Sequence, residues 1–196
     1  MRRGASCGGR GARWTRVRRG LRWFMVMVVA GVLVSVGGCA PQAASPTPAP
    51  VRMPVDGATF TPVVGQRLYV PAYSQIFYAD DQRTWDFAVT LAIHNTDEAH
   101  PLAVQAIRYY NGDGALVREY VADPFLLPPL ATHAVTVARN DNEGGVGANF
   151  IVEWAADAPV VSPVVQAVMI SAAGQQGLSL ITDAVVIEET GTSSHR

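Results

Sequence analysis

Along residues 84–95, TWDFAVTLAIHN, apolar and polar side chains alternate. Trp85, Phe87, Val89, Leu91 and Ile93 fall on one side of an extended chain, and Asp86, Thr90 and His94 on the other. That is the period-2 pattern of a strand with one face buried. Runs rich in valine, isoleucine and aromatics predict further strands at Gln66–Pro71, Ala103–Tyr110, Ala115–Val121, His133–Ala138, Phe150–Trp154, Val164–Ser171 and Leu178–Ile187. Asn111-Gly112-Asp113-Gly114 predicts a hairpin turn between two of them. Pro124, Pro128 and Pro129 interrupt the chain before the strand at His133. No segment sustains a helical period. About eight short strands at regular spacing predict an all-β domain over residues 63–189: a single β-sandwich of immunoglobulin-like architecture, with a small barrel as the alternative.

Upstream the pattern changes twice. Residues 1–23 are arginine-rich and free of acids, and Phe24–Val36 is an uncharged apolar run of 13 residues. A membrane-spanning helix needs about 20 apolar residues, so this length fits a signal-peptide core behind a basic leader. Val36-Gly37-Gly38-Cys39 then resembles the lipobox of bacterial lipoproteins: an aliphatic residue, two small residues and a cysteine. Small residues let the backbone enter a peptidase, and the thiol is the nucleophile that accepts a diacylglyceryl group. Residues 1–38 are therefore expected to be removed, and Cys39 to carry the lipid that holds the protein on a membrane outside the cytoplasm. Arg18-Arg19 also resembles a twin-arginine export signal; the general secretory route is favoured. Residues 39–62, with six prolines among alanine, serine and threonine, read as a semi-stiff tether, and residues 190–196 as a polar tail.

Charge separates the two parts of the chain. From Cys39 onward there are seven arginines, no lysine and sixteen acids, a net charge of −9. So acidic a domain does not fit nucleic acid, whose phosphates call for clustered cations. With Cys7 in the leader, Cys39 is the one cysteine kept after cleavage, which excludes an intramolecular disulfide.

Candidate chemistry is sparse. In Asn140–Phe150, Asp141, Asn142 and Glu143 offer oxygen ligands to a hard cation such as calcium. Gly144, Gly145, Gly147 and Asn149 form a loop that a ligand can approach closely. The spacing is not that of an EF-hand, and a glycine-rich turn between strands explains the same letters. His94 and His100 are close enough in sequence to meet around a turn and share a zinc or copper ion. Asp80, Asp81 and Asp86 offer a carboxylate pair of the kind that hydrolyses glycans. The six tyrosines, all between Tyr69 and Tyr120 and including the adjacent Tyr109 and Tyr110, offer an aromatic platform for a glycan or a protein partner. There is no GxSxG elbow, no CxxC, no HExxH, and no lysine for a Schiff base.

Several stretches together resemble a family of bacterial envelope lipoproteins catalogued as a domain of unknown function. They are Leu68-Tyr69-Val70-Pro71-Ala72-Tyr73-Ser74, Ile93-His94-Asn95-Thr96-Asp97, Tyr109-Tyr110, Gly114, Leu116-Val117-Arg118-Glu119-Tyr120, and Val168-Met169-Ile170. The most specific is Gly144-Gly145-Val146-Gly147-Ala148-Asn149-Phe150, followed by Glu153-Trp154. The resemblance runs from about Gln66 to Ile187; His94 stands where the family pattern has arginine. It implies one exported domain and supplies no activity, substrate or catalytic residue. The sequence thus predicts a lipid-anchored, non-catalytic binding module of the cell envelope, with an envelope protein or glycan as partner and no bound cofactor. A calcium- or transition-metal-binding accessory protein is the second reading, and an envelope-polymer hydrolase the third.

Overall fold

The computed structural model of the protein describes residues 52–55, 60–173 and 176–191. The leader, Cys39, the rest of the tether and residues 192–196 lie outside the described residues. Strands follow one another as β1 (Met53–Pro54), β2 (Val64–Pro71), β3 (Gln75–Tyr78), β4 (Asp80–Asp86), β5 (Ala88–His94), β6 (Leu102–Tyr110), β7 (Leu116–Glu119), β8 (Phe125–Leu127), β9 (Thr132–Val137), β10 (Asn149–Ala156), β11 (Val164–Ala173), β12 (Gln176–Asp183) and β13 (Val185–Thr190). There is no helix among the described residues.

The strands form two packed antiparallel sheets and a separate hairpin. The larger sheet has the order β1-β8-β6-β10-β2-β13, with β7 also paired to β6; the smaller has the order β12-β11-β5-β9; β3 and β4 pair only with each other. Their inner faces make one core, in which Leu68, Val152 and Trp154 of the larger sheet join Leu91, Ile93 and Met169 of the smaller. Each of these six is at most 3 % exposed, so burial drives the face-to-face packing. The chain passes from β5 to β6 and from β9 to β10 between sheets. This gives two interlocked strand pairs, as in an immunoglobulin-like sandwich, although β9 here is the edge strand of its sheet. The flanking strands are exchanged relative to that order: β2 lies beside β10, and β11 beside β5.

Two of the expected strands are each divided between sheets. Residues 84–95 break at Phe87: β4 pairs with β3, whereas β5 pairs with β9 and β11. Phe87 points into the core at the break, and its amide is held by the Ser74 carbonyl at 2.8 Å. Residues 178–187 break at Ala184: β12 pairs with β11, and β13 crosses to β2 on the other sheet. Alternation reports which side chains face inward. It carries no information about which strand supplies the hydrogen bonds, so it continues unbroken through Phe87, whereas past Ala184 all six positions of β13 are exposed.

On the outer face of the larger sheet, Glu119, Arg108, Glu153, Arg67 and Glu188 stand on five neighbouring strands with alternating charge. Arg108 meets Glu153 at 2.8 Å and Glu119 at 3.3 Å; Arg67 meets Glu153 at 3.5 Å and Glu188 at 3.9 Å. The hydrogen bond that Arg108 donates to Glu153 holds its guanidinium above its ordinary pKa, against some desolvation. Partly exposed pairs of this kind each contribute about 0.2–1 kcal/mol. Their main effect is on register, since a one-residue slip would set the ladder against the core.

The stretch expected to be tether also contributes a strand. Met53 and Pro54 pair with Leu126 and Phe125 at the outer edge of β8.

Candidate functional site

The β5–β6 corner organises one end of the sandwich. Asn95 follows the alternating strand and is buried; its side-chain amide donates to the carbonyls of His100, Leu127 and Pro128 at 3.0–3.1 Å. Its Oδ1 accepts from the Asp97 amide at 3.0 Å. Asp97 in turn accepts from the amides of Ala99 and His100 through Oδ1 and of Val161 through Oδ2, at 2.8–3.1 Å. The Ala99 amide first, then those of Val161 and His100, hold the Asp97 carboxyl down at about 2, against the opposing effect of burial. Thr96 adds a bond to the Ser162 carbonyl at 2.9 Å. Asn95, Thr96 and Asp97 therefore tie the β5–β6, β8–β9 and β10–β11 connections together.

The histidines expected to share a metal ion are engaged separately. His94 Nδ1 lies 2.8 Å from Thr132 Oγ1, while His100 Nδ1 lies 3.2 Å from Asp97. Among the described residues there is no group of three or more His, Cys, Asp or Glu placed to hold a metal ion.

The Asn140–Asn149 loop is tied down from both sides. Asp141 receives the Arg118 guanidinium at 2.8 Å, which raises the Arg118 pKa, so its carboxylate already has a cation. Glu143 is exposed, and its amide reaches back to Asp141 Oδ1 at 3.4 Å. Gly144 lies directly on the ring of buried Tyr109, where a β-carbon would overlap the hydroxyl. Gly145 takes φ +65°, and its carbonyl accepts both the Ser74 hydroxyl at 3.1 Å and the Gln75 amide at 3.3 Å. Gly147 sits against the backbone of Gly112 in the β6–β7 turn, and Asn149 begins β10 between Pro71 and Tyr110. That turn uses the Asn111 side chain itself, which accepts the amides of Asp113 and Ala115. The glycines thus serve close packing of the loop on Tyr109 and support for the chain that enters β3.

The tyrosines do not form one platform. Tyr109 is fully buried against Phe150, with ring centroids 4.8 Å apart, and burial raises its pKa. Tyr120 packs on the same Phe150 ring at 6.2 Å, Tyr110 is half-buried, and Tyr73 lies against the core. Tyr78 alone among the six is exposed, and it belongs to the hairpin.

That hairpin is the candidate recognition surface. In its register Ile76 faces Trp85, Phe77 faces Thr84 and Gln75 faces Asp86, with a bulge after Phe77. Ile76 and Trp85 rest against the core, and Tyr78 packs at a tilt on Trp85, ring centroids 5.3 Å apart. The opposite face carries Phe77, 53 % exposed, beside Gln75, Thr84 and Asp86. The Gln75 amide bonds Asp86 at 2.8 Å and Thr84 at 3.4 Å. Ala79, with φ +66°, turns the tip, where Asp80 pairs with Arg83 at 3.4 Å. The expected carboxylate pair is thus divided: Asp80 is bound to Arg83, and Asp86 to Gln75. An aromatic ring beside an amide, a hydroxyl and a carboxylate can stack on an apolar or sugar ring and bond its rim. Sequence reasoning missed Phe77 as a site residue because the hairpin was not foreseen. Gln75-Ile76-Phe77-Tyr78 followed by Ala-Asp-Asp carries the apolar run and turn residues that mark one.

The fold and this surface define an all-β sandwich domain bearing an aromatic hairpin held by a glycine-rich loop. Residues 65–187 match the family described as "Protein of unknown function (DUF3124)", and the chain belongs to that family. No curated protein and no solved structure matches the chain.

Proposed function

We propose that the protein is an exported lipoprotein, cut before Cys39 and held on a membrane by lipid on that cysteine. Its β-sandwich serves there as a non-catalytic binding module of the cell envelope. The observation that carries the binding role is the β3–β4 hairpin, which exposes Phe77 and Tyr78 on a ribbon braced at its base by Ser74 and Gly145. The net charge of −9 from Cys39 onward directs the choice of partner toward neutral or cationic groups, such as the sugar rings of an envelope glycan or an uncharged protein face. The anchor rests on the leader and on the Val36–Cys39 motif.

Co-sedimentation with purified cell-wall glycan tests the binding role. The wild-type protein should pellet with the polymer, and Phe77→Ser should reduce the bound fraction at least tenfold. A photo-crosslinker at position 77 in living cells tests a protein partner on the same face. No binding to glycan, together with no adduct specific to position 77, would overturn the assignment of this surface.

A further inference from the structure

Among the described residues His133 is the one histidine that points into the core. It begins the inward set of β9, opposite Ile93 of β5, and none of its surface is exposed. Its Nδ1 makes no hydrogen bond among the described residues. The edge of the Phe125 ring from β8 packs on it at 4.8 Å. Over this pair lies Arg52, its guanidinium 4.9 Å from the centre of the Phe125 ring and 3.4 Å from His133 Nε2. A guanidinium cannot accept a proton or a hydrogen bond, so this arrangement requires a neutral imidazole with Nε2 as the acceptor.

Arg52 is held there lightly. Its segment contributes two paired residues, Met53 and Pro54, and the Val55 amide reaches the Pro124 carbonyl at 3.4 Å. Proline has no amide to give to the ladder, which leaves the added strand short of bonds. Of the elements packed around the imidazole, β8 brings Phe125 and β5 brings Ile93, both uncharged, and the residue just before β1 is Arg52. His94 lies on the outer side of β5, bonded to Thr132. Asp123 and Tyr120 line the groove beside Arg52 and offer it another resting place.

We infer that Arg52–Val55 is a releasable strap latched by neutral His133, and that a proton on His133 drives the strap off the edge of β8. Two cations at the Arg52–His133 distance repel, the imidazole being buried although Arg52 is exposed, and the two-residue ladder is the weakest link holding them together. Loss of desolvation on release stabilises the charged imidazole, so the open form binds the proton more tightly. Burial, with a smaller effect from Arg52, holds His133 at about 4 in the closed form, and the switch therefore lies on the acid side of neutrality. Where the proposed lipid anchor holds, release adds residues 52–55 to the tether, up to about 12 Å at 3.1 Å per residue. The release itself does not depend on that anchor.

Hydrogen–deuterium exchange of the full chain in detergent, corrected for intrinsic rates, tests the latch. Protection of the Val55 amide should fall at least tenfold between pH 6.5 and pH 4 while β10 stays protected. In His133→Phe, which keeps a ring but no proton site, Val55 protection should not change with pH. Unchanged Val55 protection down to pH 3.5, equal acid sensitivity in His133→Phe, or simultaneous loss across β10 would each overturn the proposal. Should His133→Phe fail to fold, NMR titration of Arg52→Gln decides: the His133 midpoint should move toward its ordinary value. An unmoved midpoint would overturn the proposal.

Discussion

Replacing Asp97 by asparagine perturbs the corner that ties three connections together. The carboxylate accepts three backbone amides, from Ala99, His100 and Val161, at 2.8–3.1 Å. Asparagine keeps one acceptor oxygen and points an NH₂ at the remaining donor, so at least one buried amide loses its partner. An unmet buried donor costs about 1–3 kcal/mol. The acid shift gives an independent figure: the carboxyl moves from 3.8 to about 2, and at 1.36 kcal/mol per unit the amides favour the charged form by about 2 kcal/mol. Both routes give a loss of about 2 kcal/mol for Asp97→Asn, and Asp97→Ala, which strands all three donors, should lose more. The pH dependence has a definite sign. The folded pKa lies below the unfolded one, so the contribution is complete above about pH 4 and drains away as pH falls toward 2. Urea unfolding at pH 7 and at pH 2.5 measures both, with an unchanged m-value as the check that the same transition is followed. The difference between wild type and Asp97→Asn should be about 2 kcal/mol at pH 7 and shrink at pH 2.5. A difference below about 0.5 kcal/mol at pH 7, or one independent of pH, would refute the reasoning.

Three further outcomes are expected. His133 has a folded pKa of about 4, below its ordinary 6.5, so its contribution is complete above pH 6.5 and is lost as pH falls through 4. The loss is at most about 3 kcal/mol, smaller by whatever opening of the strap recovers, and should be absent from a denaturation series on His133→Phe. Gly144→Ala drives a β-carbon into the Tyr109 hydroxyl and Ala148, and should lower stability by about 1–3 kcal/mol in thermal or urea unfolding. Adding Tyr109→Phe, which removes the hydroxyl, should recover part of that loss. Calcium or chelator should leave the melting temperature of the wild type unchanged, because Asp141 is already bonded to Arg118. A cation-dependent rise in the melt would identify the Asp141–Asn149 loop as a metal site.

The sequence and the structure agree where a single physical signal decides the outcome. Alternation in residues 88–94 gives the buried Val89, Leu91 and Ile93, and Asn111-Gly112-Asp113-Gly114 forms the turn that its residues predict, with Gly114 at φ +80°. Pairing partners were not legible. Phe87 and Ala184 each continue the inward phase while the backbone changes sheet, and nothing in the side-chain pattern marks the change. The roles of Asn95 and Asp97 were hidden for another reason. Polar residues after a strand read as a solvated turn, and only the approach of residues 127–131 and 160–162, distant in sequence, shows that they are buried. The same holds for the glycine-rich loop. Its letters are compatible with a ligand cradle, and it is Tyr109 beneath Gly144 and Ser74 beside Gly145 that give those glycines a packing role. The tyrosine cluster in the sequence disperses because neighbours in the chain alternate in direction: Tyr109 turns into the core, whereas Tyr110 turns outward.

The most direct test of the account is intact-mass spectrometry of the protein purified from membranes, with fragmentation of its N-terminal peptide. The account predicts a chain that begins at Cys39 and carries a diacylglyceryl group on its sulfur, and that appears as an unprocessed precursor in Cys39→Ala. A membrane-purified chain that still carries residues 1–38, or that has an unmodified Cys39 thiol, would contradict it.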